Sequence, residues 1–548
     1  MRRAFLLLAV ALLAVQALDA QVSSGRLVDA AREPQSWLTY NGAYDSQRHS
    51  LLKRIDLSNV KNLELKWVYQ TFSTWAFEPT PLVVNGVMYL TQGPNDVVAL
   101  DPVSGRPFWI YRYTPMTGFQ ACCGAANRGL AMLGDTLFMG TVDAHLIAID
   151  SKNGRPLWNT TVADTIAGYA ITLAPLVIKD KVLIGTAGGE YPTRGFVAAY
   201  DAATGKEAWK FHTIPAPGEP GNDTWPAGAW EHGGGSVWLT GSYDPVLNLT
   251  YWGVGNPNPD FDPKARVGDN LYTDSVVALD ADTGKLKWHF QFTPNDPYDW
   301  DAVQTPVLAD MSWQGAPRKV MLWANRNGFA YVLDRTTGEF LKGYPFVEQN
   351  WASGLDAKGR PILNLPPTDK PVYPGIAGAT SWYAPSFSPR TELFYVTIWE
   401  NYGNIVTPRE QELVAGRTRM GGTTASPIEG APRPGLGGTL RGPFITNGAE
   451  TDGTGAVIAI DPRTGAKKWK FPMTNVSTSG ILTTASDVLF TGSREGYFHA
   501  LDARSGSLLW KTQLGGQVNA GPMTYELGGK QYVTIAAGTS LFTFGLRE

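Results

Sequence analysis

The 548-residue chain is poor in cysteine and in charge, and each shortage closes off a class of chemistry. Its two cysteines, Cys122 and Cys123, are neighbours, which excludes CxxC redox pairs, four-cysteine zinc sites and CxxCH haem attachment. The six histidines, His49, His145, His212, His232, His289 and His499, stand too far apart for a zinc motif such as HExxH. Charged residues make up 17% of the chain and the formal net charge is −3. No basic excess therefore invites nucleic acid, and no acidic tail is present. Beyond the first residues, no segment approaches the roughly 18 uninterrupted apolar residues of a membrane span. A GxSxG nucleophile elbow is missing as well, which argues against a hydrolase.

What is present is unusual in another way. The chain has 60 glycines, 38 prolines and 19 tryptophans. So many breakers exclude a helical bundle, while 43% hydrophobic content excludes disorder. The length alone suggests several domains, but all-β chains can grow large as one unit. Residues 1–20, MRRAFLLLAVALLAVQALDA, read as a secretory signal peptide: Arg2 and Arg3, then an apolar run, then Ala17 and Ala20 as cleavage points. The run is short for the alternative, an uncleaved anchor. Residues 21–548 would then form one exported domain in an oxidising compartment.

The tryptophan excess resolves into a repeat of Asp, Gly four residues later, and usually Trp eight residues after the Asp. Six copies are Asp101–Gly105–Trp109, Asp150–Gly154–Trp158, Asp201–Gly205–Trp209, Asp280–Gly284–Trp288, Asp461–Gly465–Trp469 and Asp502–Gly506–Trp510. A seventh, Asp334–Gly338–Lys342, lacks the Trp. An alternating apolar strand leads into each Asp, D-x-x-[TSN]-G makes a tight turn, and a second strand follows. Most copies are 41 to 54 residues apart, with longer intervals of 79 and 127. Hairpins repeated at this spacing predict the four-stranded blades of a β-propeller. Trp67, in LELKWVYQ, adds one more blade's strand and brings the total to eight. The strand pair YAPSFSPRTELFYVTI within the longest interval allows another division: it forms a blade of its own, and Trp67 joins a blade closed by the last strands. The repeat tryptophans are expected to wedge between blades with their N–H groups on backbone carbonyls. Residues 214–235 and about 403–443 read as long surface loops.

A propeller does not by itself imply a function. The most unusual local feature is Cys122-Cys123 in FQACCGAANRG. In an oxidising compartment, with no other cysteine to pair with, a disulfide between neighbours is favoured over two reduced, buried thiols. Cys-Cys, followed five residues on by Arg128, inside D-x-x-T-G-x-x-x-W repeats, resembles the pyrroloquinoline quinone (PQQ)-dependent alcohol dehydrogenases. The resemblance runs over nearly the whole mature chain. It implies a vicinal disulfide against one face of the quinone and a tryptophan floor against the other. By the same resemblance Glu78 in FEPTPLVV, Arg128, Thr172 in AITLAPLV and Arg326 in ANRNGFAY contact the cofactor. So do Gly188 and Gly189 in GTAGGEYPTRG, where Ala187 replaces a frequent Ser, and Ser236 and Trp238 in GGGSVW. Guanidinium forks suit a planar tricarboxylate.

The resemblance further implies that Glu190, Asn256 in WGVGNPNPD and Asp299 in TPNDPYDWDAVQ hold a metal ion. All are hard oxygen donors suited to calcium rather than zinc or copper. Asp299 would take the alcohol's proton as hydride passes to the quinone, and Arg326 would steady the developing charge. Asp301 lies two residues beyond Asp299, so an extended segment would point both carboxylates to one side. Calcium-using relatives carry Ala or Ser at that position and the lanthanide-using branch carries Asp. With Glu190, three carboxylates would surround one ion, which favours a trivalent lanthanide over Ca2+. The alternative is that Asp301 only caps a turn. Two positions depart from the family: Trp399, with Asn401 close by, stands where an Asn is usual, and Thr478 where a late Trp is expected. Substrate preference is therefore open among primary alcohols, polyols and aldehydes. Lacking a haem motif, the enzyme would pass electrons to an external cytochrome c. The rival reading is a non-catalytic propeller scaffold of the outer-membrane assembly type.

Overall fold

The computed structural model describes residues 22–73, 77–426 and 453–547. The signal segment and the second half of the 403–443 loop lie outside the described residues. Each repeat Asp builds its own turn. Asp201 Oδ1 accepts from the Thr204 N–H and hydroxyl at 2.8 and 2.7 Å. Gly205, at φ +69°, donates its N–H to the Asp201 carbonyl at 2.8 Å. The left-handed φ is the reason glycine recurs there.

Strands joined by these turns form eight antiparallel blades among the described residues, so the fold is an eight-bladed β-propeller. Blades 1 to 7 span 82–111, 131–161, 176–212, 242–291, 307–345, 386–473 and 481–513. Blade 8 takes three strands from 523–546, and its fourth and outermost is Leu63–Gln70, paired antiparallel with Ser540–Leu546. Strand Leu63–Gln70 therefore closes the ring, and no edge is left open between the two ends of the chain. The strand pair in the longest interval is not a separate blade. Ser386–Ser388 and Leu393–Glu400 are the first half of the blade that Asp461 completes.

The tryptophans sit between blades as expected. Trp67, Trp109, Trp158, Trp209 and Trp469 each donate Nε1–H to the carbonyl just after the next blade's Asp, at 3.0–3.2 Å. Their rings, and that of Trp288, cover the glycine of that turn so closely that an added Cβ would lie 2.4–2.7 Å from the indole. Blade 5, which has Lys342 instead of Trp, supplies Tyr344 from two residues on, the same side of the strand, against Gly465. Blade 8 has no such turn, and Trp510 packs edge-on against Phe544.

In an antiparallel blade, the connections between strands one and two and between three and four lie at one end. Those between two and three, and from four to the next blade, lie at the other. All the Asp–Gly turns are thus on one face and all the predicted site residues on the opposite one. The N-terminal segment crosses the turn-side face. Val22 bridges Gly134 and Trp37 bridges Val83, while Gln35, Tyr44, Asp45 and Gln47 give carbonyls to Glu526, Tyr243, Leu308 and Phe387. The Tyr44 hydroxyl donates to Val177 O, and His49–Ser50 adds a parallel strand to blade 7. One segment thereby touches all eight blades.

Replacing Gly284 by Ala should lower the urea midpoint, costing about 1–3 kcal/mol more than Gly218→Ala from overpacking. Both glycines have positive φ, but the new Cβ at 284 would lie 2.4 Å from Trp209 whereas nothing lies within 4 Å at 218. Equal midpoints for the two variants would show that the indole–glycine contact does not hold the ring.

Candidate functional site

The site-face loops gather the predicted residues in two groups. In the first, Arg128 Nη2 lies 2.8 Å from Glu78 Oε2, and its Nη1 donates to Thr172 O at 3.4 Å. The Arg128 guanidinium carbon lies 5.1 Å over the Trp238 ring and 6.0 Å over Trp382. The Thr172 hydroxyl donates to Trp238 O at 3.3 Å, tying this group to the entrance of blade 4. Cys122 and Cys123 are joined by a disulfide, and Cys123 Sγ lies 3.5 Å from Glu190 Oε1. Disulfide sulfurs are not thiolates, so this cluster of Cys122, Cys123 and Glu190 is no soft-metal site.

The second group is built on Asp301 and Arg326. Asp301 Oδ1 accepts from the Asn256 N–H at 2.8 Å, and its Oδ2 from Trp238 Nε1 at 3.2 Å and Arg326 Nη1 at 2.6 Å. Its carboxylate thus joins residues far along the chain and does not cap its own turn. Arg326 Nη2 lies 3.7 Å from Asp299 Oδ2 and donates to Ile376 O at 2.5 Å. Asp299 and Asp301 therefore converge on one guanidinium, but not through an extended segment. Asp299 is left-handed at φ 61°, and Asp296 holds the bend by accepting from Tyr298 N at 2.9 Å and Trp300 N at 2.5 Å. Trp300 is fully buried, with Nε1 on Gly375 O at 2.9 Å. The intervening side chain is anchored in the core while both acids face the site.

Burial makes this acid cluster costly. It pushes the Glu190 carboxyl up to about 7, with the Asp301 charge adding and Arg326 opposing. Asp299 is raised well above the usual carboxylate range, again by burial first, with Arg326 countering and Asp301 and Glu190 reinforcing. Asp301 is raised by burial and pulled back mainly by Arg326. Asp260 is raised by burial and then by Asp299 and Glu190. One buried guanidinium does not neutralise the group.

Several buried polar atoms have no partner among the described residues. Asn256 Oδ1 and Asp299 Oδ1 are such acceptors, and Arg128 Nε, Arg326 Nε and Trp382 Nε1 are such donors. A buried unpaired group costs about 1–3 kcal/mol, so the set points to ligands. Unpaired oxygens in an acid cluster fit a hard cation, and unpaired N–H donors fit an acceptor-rich anionic molecule. The glycines leave room for little else: a Cβ on Gly189 would lie 2.4 Å from Asn256 Oδ1 and 2.9 Å from Ser236 Oγ. At Gly188, φ is +112° and a Cβ would lie 2.2 Å from Gly168 O.

Of the two departures, Trp399 donates Nε1–H to Ser477 O at 2.7 Å and stacks on Tyr383, while Asn401 is exposed and away from the cluster. Thr478 donates to Asn519 Oδ1 at 2.7 Å. Sequence reasoning passed over Trp382, Asp260 and Asp296. Asp260 lies within the same GNPNPD stretch as Asn256, and Asp296 opens the DPYDWD stretch that carries Asp299 and Asp301. The loop 403–426 includes a hairpin, Ile405–Pro408 with Gly422–Ala425, and its Arg419 N–H donates to Glu190 O at 2.7 Å.

Comparison with known proteins agrees with this geometry. The family model for the PQQ-dependent glucose/ethanol/alcohol dehydrogenase β-propeller domain matches residues 37–362 and 470–533. Quinohemoprotein alcohol dehydrogenase ADH IIB of Pseudomonas putida is 38% identical, covering 95% of this chain and 76% of the relative. Quinoprotein alcohol dehydrogenase PedH of Pseudomonas putida is 34% identical, covering 96% of this chain and 90% of the relative. A europium-containing methanol dehydrogenase of known structure superposes with a TM-score of 0.86 at 31% identity, covering 95% of this chain and 100% of the other. Enzymes of one kind thus match almost the full length of the propeller. That decides against a bare scaffold, and the chain belongs to the PQQ-dependent alcohol dehydrogenase family.

Proposed function

We propose that the protein is an exported, periplasmic dehydrogenase that oxidises a primary alcohol, or a polyol or aldehyde, with a lanthanide ion in its acid cluster. The observation that carries this reading is the pair of unpartnered oxygens, Asn256 Oδ1 and Asp299 Oδ1, beside the Arg326–Asp301 ion pair. Glu190, Asn256, Asp299 and Asp301 would hold the ion. Three carboxylates against one guanidinium favour a trivalent ion, with Ca2+ as the alternative. Arg128 and Arg326 offer free Nε donors for the quinone's oxygens, with Glu78, Thr172, Ser236, Gly188 and Gly189 shaping its seat. The Cys122–Cys123 disulfide and Trp238 would bracket its faces. When bound, PQQ supplies the carbonyl carbon that accepts hydride, and the cation polarises that carbonyl.

Asp299 is the general base of this reading and takes the alcohol's hydroxyl proton. Burial and its acidic neighbours make it a stronger base than a solvated carboxylate, and Arg326 opposes that rise. Loops 214–235 and 403–426 rise on the same face and would shape the substrate's approach. With no CxxCH motif in the sequence, electrons would leave to a soluble cytochrome c. Residues 1–20 would direct export, and no described helix is long and apolar enough to cross a membrane.

Metal-stripped protein, reconstituted with PQQ and either La3+ or Ca2+, should show dye-linked oxidation of an alcohol panel, with La3+ restoring more turnover. Activity restored by Ca2+ but never by La3+ would overturn the lanthanide preference. Asp299→Ala should cut turnover by about 10²–10⁴-fold while PQQ uptake, followed by absorbance, persists. Retained turnover would remove Asp299 from the role of base.

A further inference from the structure

The geometry points to Asp260 as a positioning residue that turns the Asn256 amide so its oxygen faces the cation. This rests on the proposed metal site and deepens it. An amide side chain has two ends that differ chemically, and only its surroundings decide which faces inward. Asn256 Nδ2 donates to Asp260 Oδ1 at 2.9 Å and to Pro257 O at 3.4 Å. A carboxylate opposite Nδ2 accepts this bond and would repel the amide oxygen. With Nδ2 committed to Asp260, Oδ1 is left buried beside Gly189, without a partner among the described residues.

Asp260 is itself held in place. It is fully buried, and Arg266, also fully buried, donates Nε–H to Pro259 O at 2.8 Å and Nη2–H to Asp260 O at 3.0 Å. This clamp fixes the backbone on which the carboxylate stands but leaves the carboxylate to Asn256, and Asp260 Oδ2 has no partner among the described residues. Groups that orient a metal ligand from behind commonly change metal affinity about 10–100-fold when replaced.

Two substitutions test the orienting bond. In Asp260→Asn the new amide oxygen can accept the same bond from Asn256, so orientation is kept. In Asp260→Ala the bond is lost. The full chain with PQQ bound is titrated calorimetrically with La3+ and with Ca2+. Asp260→Asn should leave both affinities within about threefold, whereas Asp260→Ala should weaken both about 10–100-fold. Affinities of Asp260→Ala within twofold of wild type for both ions would overturn the positioning role, and so would losses in Asp260→Asn as large as those in Asp260→Ala. Wild-type protein that takes up neither ion would instead overturn the metal site on which the role depends. Near-isosteric Asp260→Asn, with Arg266 still bonded to the backbone, guards against a result that only reports misfolding.

Discussion

The contact between an indole and the glycine of the next blade's turn is the constraint on which everything else depends. A ring of eight blades closes only if each interface turns the chain through the same angle, so one interface geometry must recur. Flat indole faces against Cβ-less turns provide it, with the N–H bond to the following carbonyl setting the height of one blade against the next. Where the Trp is replaced at Lys342, Tyr344 from the same side of the strand restores an aromatic face over Gly465. At the last interface, strand Leu63–Gln70 pairs with Ser540–Leu546 and Trp67 covers Gly105 of blade 1. The ends of a long chain are thus locked by the contact that recurs at five other blade interfaces.

Placing these contacts at one end of every blade frees the other end. Turns on the structural face are short and stereotyped, and the N-terminal segment seals that face by touching each blade. Lengthening on the opposite face leaves the ring angle unchanged, because loop growth costs little once the strands are paired. The two long motif intervals reflect this. The 79-residue interval contains the loop 214–241 and the loop 255–274 that carries Asn256, Asp260 and Arg266; the 127-residue one contains the segments before and within blade 6. Chemistry has accumulated where the fold tolerates insertion.

The same division explains what the sequence made legible. Strand alternation and the Asp–Gly–Trp spacing are local, so the blades, their number and the role of the tryptophans could be read directly. The vicinal cysteines and the Asp299/Asp301 pair were legible because both are short-range patterns. The convergence of those two acids was right, but its cause was not an extended strand: Asp296 bends the segment through bonds to Tyr298 and Trp300. Tyr344 for Trp, Trp382 beside Arg128, and the amide-orienting Asp260 were hidden, since each acquires meaning only when separate loops are brought together. The strand pair at 386–400 could be assigned either way, because its partners come only after the insertion that follows it.

The acid cluster shows how such a site is held before any ligand arrives. Glu190, Asp299, Asp301 and Asp260 come from three different loops and repel one another in a buried place. Their convergence needs counter-charge that belongs to the protein, and Arg326 supplies it by pairing with Asp301 and approaching Asp299. Trp238 and the Asn256 N–H each spend a donor on Asp301 as well, so this one carboxylate ties the entrance of blade 4, the Asn256 loop and blade 5 together. Arg326, with Arg266 beside Asp260, nevertheless leaves four acids with a negative balance, and both Asn256 Oδ1 and Asp299 Oδ1 stay unpaired among the described residues. The residual charge is what draws a cation, and the unpaired oxygens are where it would be held. Structure and reactivity then pull against each other at Asp299: a neighbouring cation would lower its affinity for a proton, while burial raises it. In the proposed reading, a general base placed between those influences would take a proton from an alcohol and still release it, and Arg326, which pairs with Asp301 and approaches Asp299, is the residue positioned to set that balance.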